Sequence, residues 1–177
     1  MIINLEKLKT GPNKFYEKLG ERDLDFGKED FHLLDKLDAS IVAIKNRNNI
    51  ELRINLDYTL ELTCSRCLEG FKRSFTEEGV YYLKAGEEPL EEEKFLLEED
   101  IYTLYYAIPE IDTIPLIREM VILSLPMKPL CSPDCKGLCP VCGANLNKRD
   151  CGHRQEKIDP RWSKLLEIKT IKKKKGG

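Results

Sequence analysis

An α+β fold is what this sequence predicts: an antiparallel β-sheet, as a meander or partial barrel, with one or two packed helices and a small C-terminal zinc-binding module. Three observations lead there. Ile50, Leu52, Ile54, Leu56, Tyr58, Leu60 and Leu62 alternate strictly with Glu51, Arg53, Asn55, Asp57, Thr59, Glu61 and Thr63, and a period of two gives one buried and one wet face, as in an antiparallel sheet. The run Ile114 to Leu125 is apolar at helical spacing, with Pro115 near its start and Pro126 after its end. Residues 131–153 are dense in cysteine and polar in between, so they lack the apolar surface to fold alone and need a metal.

In chain order, Pro12 to Leu19 reads as a short helix carrying Phe15, Tyr16 and Leu19 on one side. Ser40 to Lys45 reads as a strand closed by the turn-rich Asn46-Arg47-Asn48-Asn49. The 50–63 strand that follows exceeds the usual ~3–10 residues, which predicts a bend or bulge. Cys64-Ser65-Arg66-Cys67 is a turn, and Phe71 to Lys84 a second strand with a bulge at Gly79. Residues 87–100 hold eight acids and one lysine and read as a loop. Asp112 or Thr113 then caps a helix whose Ile117, Met120, Val121 and Ser124 share a face. Apolar residues surround most of that helix, so it should be covered on two sides. Asp159-Pro160 opens a last helix with Trp162, Leu165 and Leu166 on one face, before a lysine tail. The resulting division is a sheet domain over 1–127 with its acidic loop, a zinc module over 128–158, and a short helix with basic tail over 159–177.

Charge divides along the same line. The net charge of −2 hides 13 Lys/Arg against 5 Asp/Glu from Lys128 to Gly177, a net of +8, which leaves −10 for residues 1–127. That asymmetry marks either a nucleic-acid-facing segment beside an acidic body or a solvated lysine tail. Met1-Ile2-Ile3-Asn4-Leu5-Glu6 has no basic n-region, and no apolar run approaches the ~20 residues of a membrane helix. The expectation is a cytoplasmic protein without a membrane partner, whose seven cysteines are metal ligands or redox centres before they are disulfides.

Residues 131–153 read Cys-x3-Cys-x3-Cys-x2-Cys-x8-Cys-x-His. Cys139-Pro140-Val141-Cys142-Gly143 has the form of a zinc knuckle: two thiolates converge on one ion when the chain turns tightly, and the glycine tolerates positive φ. Cys151 and His153 supply the second pair of a first site. Cys64, Cys67, Cys131 and Cys135 remain, enough for a second tetrahedron and therefore for one or two Zn2+ in all. Against that second site, Cys64 continues the buried face of the long strand and reads equally as a core residue. A competing partition groups Cys135, Cys139, Cys142 and Cys151. Lys136, Lys148, Arg149 and Arg154 in the module, with Lys172, Lys173, Lys174 and Lys175 in the tail, are candidate phosphate contacts.

Nothing argues for catalysis. Cys64-Ser65-Arg66-Cys67 lies between strands rather than at a helix N-terminus, unlike a thioredoxin motif. The chain's two histidines, His32 and His153, have no nearby glutamate in a catalytic-zinc pattern. No nucleotide-binding or nucleophile-elbow motif occurs, so no catalytic residue and no small-molecule substrate is expected, and a thiol oxidoreductase is a remote alternative.

The run Cys131-Ser-Pro-Asp-Cys135-Lys-Gly-Leu-Cys139-Pro-Val-Cys142-Gly-Ala-Asn-Leu-Asn147, followed by Asp159-Pro160-Arg161, closely resembles the large ribosomal RNA subunit accumulation protein (YceD) family of bacteria and plastids. Cys64-Ser-Arg-Cys67-Leu68 and Glu110-Ile111-Asp112 … Leu125-Pro126 match it in the same order, over roughly residues 37–168. His153 departs from the pattern, where cysteine is expected. The resemblance implies a non-enzymatic factor in ribosome biogenesis, needed for large-subunit ribosomal RNA to accumulate. Its partner would be that RNA or a pre-ribosomal particle, or else a ribosomal protein or nuclease for which the chain is an adaptor.

Overall fold

The computed structural model describes residues 1–27, 31–46, 49–87 and 98–153. The chain divides into two compact units, Met1–Cys135 and Lys136–Gly177. The division falls after Cys135 rather than after residue 127, because Cys131 and Cys135 join Cys64 and Cys67 in the first unit.

In the first unit the elements are β1 (Ile2–Asn4), β2 (Gly11–Leu19), α1 (Glu21–Leu24), β3 (Phe31–Leu33), β4 (Leu37–Lys45), β5 (Ile50–Thr63), β6 (Gly70–Ala85), α2 (Glu98–Ile101), β7 (Thr103–Tyr106), β8 (Glu110–Asp112) and α3 (Ile114–Ser124). A six-stranded sheet runs β2-β4-β5-β6-β7, with β3 paired to β5 beyond the end of β4. Its pairs are antiparallel except β6–β7, which is parallel. The sheet is therefore mixed where a purely antiparallel one was expected, and no described pairing closes it into a barrel. β1 and β8 form a separate antiparallel pair.

The alternation of β5 does what it predicts. Its even-numbered residues from Ile50 to Leu62 are all buried, while Arg53, Asp57, Glu61 and Thr63 are exposed. Leu37, Ala39, Ile41 and Ala43 of β4 continue that inner face, and Ile117 and Val121 of α3 belong to the same core. Each buried Leu, Ile or Val side chain contributes about 1.5–3 kcal/mol.

Three expectations are corrected. Pro12 to Leu19 is strand β2, not a helix: it pairs with all of β4, so Phe15 and Tyr16 lie on opposite faces and Tyr16 is 74% exposed. Pairing with a neighbouring strand overrides a short, weak helical pattern. The long strand carries no bulge, since β5 and β6 pair without a break from Ile50↔Leu83 to Thr63↔Gly70. Gly79 sits in that regular ladder opposite Ile54, and its role is close approach: a Cβ there would lie 2.8 Å from Met120 Cε and 2.9 Å from Met120 Sδ.

Helix α3 starts and stops as expected. Asp112 Oδ1 accepts from the Ile114 N–H at 3.1 Å, and the chain turns extended at Leu125. Among the described residues it is covered on one side, with Leu116, Ile117, Met120 and Val121 buried and Leu123 74% exposed. Ser124 reaches the sheet, where Tyr58 donates to its hydroxyl at 2.6 Å while Ser124 donates to Val121 O. The acidic 87–100 segment ends in the helical turn α2, and most of it, residues 88–97, lies outside the described residues. The last helix with Trp162, Leu165 and Leu166 also lies outside them.

The second unit is described over residues 136–153 and is built of turns, with Leu138 and Asn145 forming a single bridge. Among the described residues no helix is long and apolar enough to cross a membrane.

Candidate metal centres

The hairpin that joins β5 to β6 makes the first centre. Cys64 ends the buried face of β5, and the Leu68 N–H returns to Cys64 O at 2.9 Å, so Cys64 and Cys67 face the same side. Ser65 N–H donates to Pro129 O at 2.8 Å, which brings residues 129–135 alongside. The Arg66 guanidinium then ties that segment down, donating to Cys135 O at 2.9 Å and to Pro133 O at 3.4 Å. The result places Cys64 Sγ 3.8 Å from Cys135 Sγ and Cys67 Sγ 3.7 Å from Cys131 Sγ, with all four sulfurs within 4.8 Å of one another. Zn–S bonds of about 2.3 Å at tetrahedral angles set sulfurs about 3.8 Å apart. Cys64, Cys67 and Cys135 are buried and Cys131 is exposed.

The second centre repeats the knuckle. Gly143 N–H donates to Cys139 O at 2.8 Å, and Cys139 N–H to Ala144 O at 2.8 Å. Cys139, Cys142, Cys151 and His153 offer ligand atoms that also lie within 4.8 Å of one another. Two asparagines hold this loop: Asn147 Oδ1 accepts from Lys136 N–H at 2.8 Å, and Asn145 Oδ1 accepts from Asn147 N–H at 2.9 Å. Asp150 Oδ1 accepts from Gly152 N–H at 2.9 Å and aims the Cys151–His153 end. Sequence reasoning missed these three polar pins. Their signal was the short spacing of Asn and Asp among turn residues, which favour side-chain bonds to nearby backbone N–H groups.

Electrostatics separate the thiols. Burial opposes a charge on Cys64, but the N–H groups of Cys131, Cys67 and Arg66 outweigh it and bring the thiol down to about 6. The N–H groups of Cys142 and Val141 bring Cys139 down to about 6 against its burial. Cys131 is pushed up to about 12, first by sharing a proton with Cys135 and also by the neighbouring thiols Cys64 and Cys67. The Glu69 N–H favours thiolate at Cys67, and the His153 N–H favours it at Cys151, yet burial and neighbouring thiols leave both raised. Each cluster thus stabilises one anion through the backbone and resists several at once, unless a cation sits at its centre.

The sulfur and nitrogen sets therefore suit a thiophilic ion such as Zn2+, with four thiolates in the first centre and three thiolates plus one imidazole in the second. Cys135 goes to the first cluster, so the structure does not assemble the competing set of Cys135, Cys139, Cys142 and Cys151. Cys64 is both the last inward residue of β5 and a member of the cluster, which joins the two readings of that residue. His32 stands apart on the surface, 3.1 Å from Glu21 Oε1.

Of the candidate phosphate contacts, Lys136, Lys148 and Arg149 line one groove of the second unit together with Asn147, Asp150 and His153. Arg154, Lys172, Lys173, Lys174 and Lys175 lie outside the described residues.

Comparison with known proteins agrees with the cysteine pattern. The family model described as large ribosomal RNA subunit accumulation protein YceD matches residues 52–169, starting later than the expected residue 37. An uncharacterised protein of Mycobacterium tuberculosis is 39% identical over 111 residues, covering 59% of this chain and 48% of the relative. The Arabidopsis thaliana protein named large ribosomal RNA subunit accumulation protein YCED homolog 1, chloroplastic, is 26% identical over 163 residues, 78% of this chain and 50% of the relative. A maize protein of the same name is 53% identical over 38 residues, 22% of this chain and 13% of the relative. The chain spans about half the length of the first two relatives. No solved structure matches. With the match covering more than half of the chain, both knuckles and strands β5 to β7, the chain belongs to the large ribosomal RNA subunit accumulation protein YceD family.

Proposed function

We propose that this chain is a non-enzymatic factor in ribosome biogenesis that supports the accumulation and processing of large-subunit ribosomal RNA by binding that RNA or a pre-ribosomal particle. The observation that carries the reading is the second centre, where a four-ligand set fixes a polar loop and gathers Lys136, Lys148 and Arg149 on one groove. In this reading both centres hold Zn2+. A bound ion there supplies folding free energy and a rigid frame, and with four protein ligands it offers no open position for a substrate. The family name supports the RNA, and lysine and arginine beside a rigid loop suit phosphates better than bases. Seven reduced cysteines suit the cytoplasm, or the reducing interior of a plastid for the plant relatives.

The test is a deletion strain, scored by the ratio of large- to small-subunit ribosomal RNA. Loss of the protein should lower that ratio, and the wild-type gene should restore it. A Lys136→Ala/Lys148→Ala/Arg149→Ala variant should restore it poorly. An unchanged ratio in the deletion strain would sink the reading. Full rescue by the triple variant, with a ribosomal protein or nuclease as the partner that cross-links, would favour an adaptor instead.

A further inference from the structure

We propose that a second, separate surface, the groove between the start of β6 and residues 128–133, binds an RNA phosphodiester backbone; the proposal rests on the ribosomal RNA reading above. Lys72, Arg73 and Lys128 line this groove of about 510 Å3, and no carboxylate does. Among the described residues none of the three takes part in an ion pair. Lys72 and Arg73 stand out because residues 1–127 carry a net of −10, and a cleft lined by cations on an acidic body concentrates a favourable field for a polyanion.

The walls are prebuilt. Arg73 is held over the Phe75 ring, 5.3 Å from its centroid, a geometry that steadies a guanidinium without occupying its donors. Across the groove Cys131 is fixed in the first cysteine cluster, and the adjacent backbone is tied by Ser65 at Pro129 and by Arg66 at Pro133 and Cys135. Ser132, whose Oγ accepts from Asp134 N–H at 3.3 Å, also lines the groove and adds a hydroxyl to its wall. Phe71, half-buried, adds an apolar ring for a ribose or base. Three cations, a hydroxyl and one ring recognise a phosphate chain. An acidic peptide shares only the charge, and the groove has no enclosed apolar pocket to anchor it. Glu61 pairs with Lys72 across the β5–β6 ladder and shares its face of the sheet, while Arg73, the next residue, points to the other face with Phe75, so the two cations reach the groove from opposite sides and no carboxylate lines it.

The experiment uses the full-length, zinc-loaded protein and a labelled fragment of large-subunit ribosomal RNA, with affinity measured by anisotropy across a salt series. Lys72→Ala/Arg73→Ala/Lys128→Ala should lower the slope of log K against log salt by roughly two to three, since each phosphate contact contributes about 0.7–0.9. The affinity loss should be at least about tenfold at low salt, alike for different RNA sequences. Because Arg73 also packs on Phe75, Lys72→Ala/Lys128→Ala is the second variant, with an expected slope change of roughly one to two. An unchanged slope in both variants overturns the groove. So does a polyglutamate probe that binds as tightly as RNA and is lost in the same variants, because the groove then recognises acidic protein. The underlying reading fails differently, through a normal ribosomal RNA ratio in cells lacking the protein, whatever these variants do.

Discussion

Leu68 and Gly143 occupy the same backbone position in two separate knuckles. Each follows the second cysteine of a Cys-x-x-Cys turn, each has positive φ (58° and 71°), and each donates its N–H to the carbonyl of the first cysteine. Glycine adopts that conformation freely, whereas for leucine it costs roughly 1–2 kcal/mol. Leu68 is 65% exposed, so little packing is lost with its side chain. Leu68→Gly should therefore raise the stability of the first unit by up to about 1 kcal/mol, read as a higher midpoint in urea. Gly143→Leu should do the reverse at the second knuckle and weaken its metal affinity. A lower midpoint for Leu68→Gly would show that the exposed leucine is held by something beyond its own hairpin.

Metal content should follow the two clusters independently. Freshly purified protein should hold two zinc ions per chain. Cys64→Ser/Cys67→Ser should remove one and Cys139→Ser/Cys142→Ser the other, by elemental analysis. One ion in the wild type, retained after the Cys64/Cys67 change, would return Cys64 to a plain core role.

Losing the second site should be a local event. Its loop buries little beyond Cys139 and Ala144, while the sheet core of β4, β5 and α3 contains none of its ligands. Limited proteolysis of Cys139→Ser should cut within 136–153 and leave a resistant fragment containing the sheet. Cooperative loss of both, with no resistant fragment, would show that the two units fold as one.

Gly79 leaves room for Met120. A Cβ at residue 79 meets the flexible end of that side chain rather than backbone, so Met120 can give way and Gly79→Ala should cost no more than about 1 kcal/mol, the low end of overpacking. Shortening the partner should recover part of it. The coupling in a double-mutant cycle with Met120→Ala is the quantity to measure, and additive losses would mean that Met120 moves aside freely.

Tyr58 gives a pH signature in the alkaline range. Burial pushes its hydroxyl up to about 12, against the Ser124 hydrogen bond. A group raised in the folded state contributes stability that is complete below its unfolded value, near 10, and is lost as pH rises through about 12. Wild-type and Tyr58→Phe proteins should therefore differ by a constant amount below pH 10 and converge above it, in urea melts across that range. A difference that does not change with pH would place the Tyr58 hydroxyl in contact with water.

The parts of this protein that repeat locally were legible in the amino-acid chain alone. The strand at 50–63 follows from strict alternation, α3 from apolar spacing between Pro115 and Pro126, and each knuckle from two cysteines three positions apart. In all of these the physics acts between residues a few positions apart, through pleat, helical turn or tight turn. The family resemblance carried on the same cysteine runs is likewise local. Folding decided what depends on partners far along the chain. Pro12 to Leu19 became a strand because β4 offered a full row of backbone groups to it, and Gly79 was kept for a helix some forty positions later rather than for a bulge. The partition of eight ligands into two sets was settled by the Ser65–Pro129 and Arg66–Cys135 hydrogen bonds, which bring residues 131–135 to the hairpin. The groove of Lys72, Arg73 and Lys128 exists for the same reason. Net charge along the chain pointed to the C-terminal lysines, and only the three-dimensional arrangement brings scattered cations of the first unit around one groove.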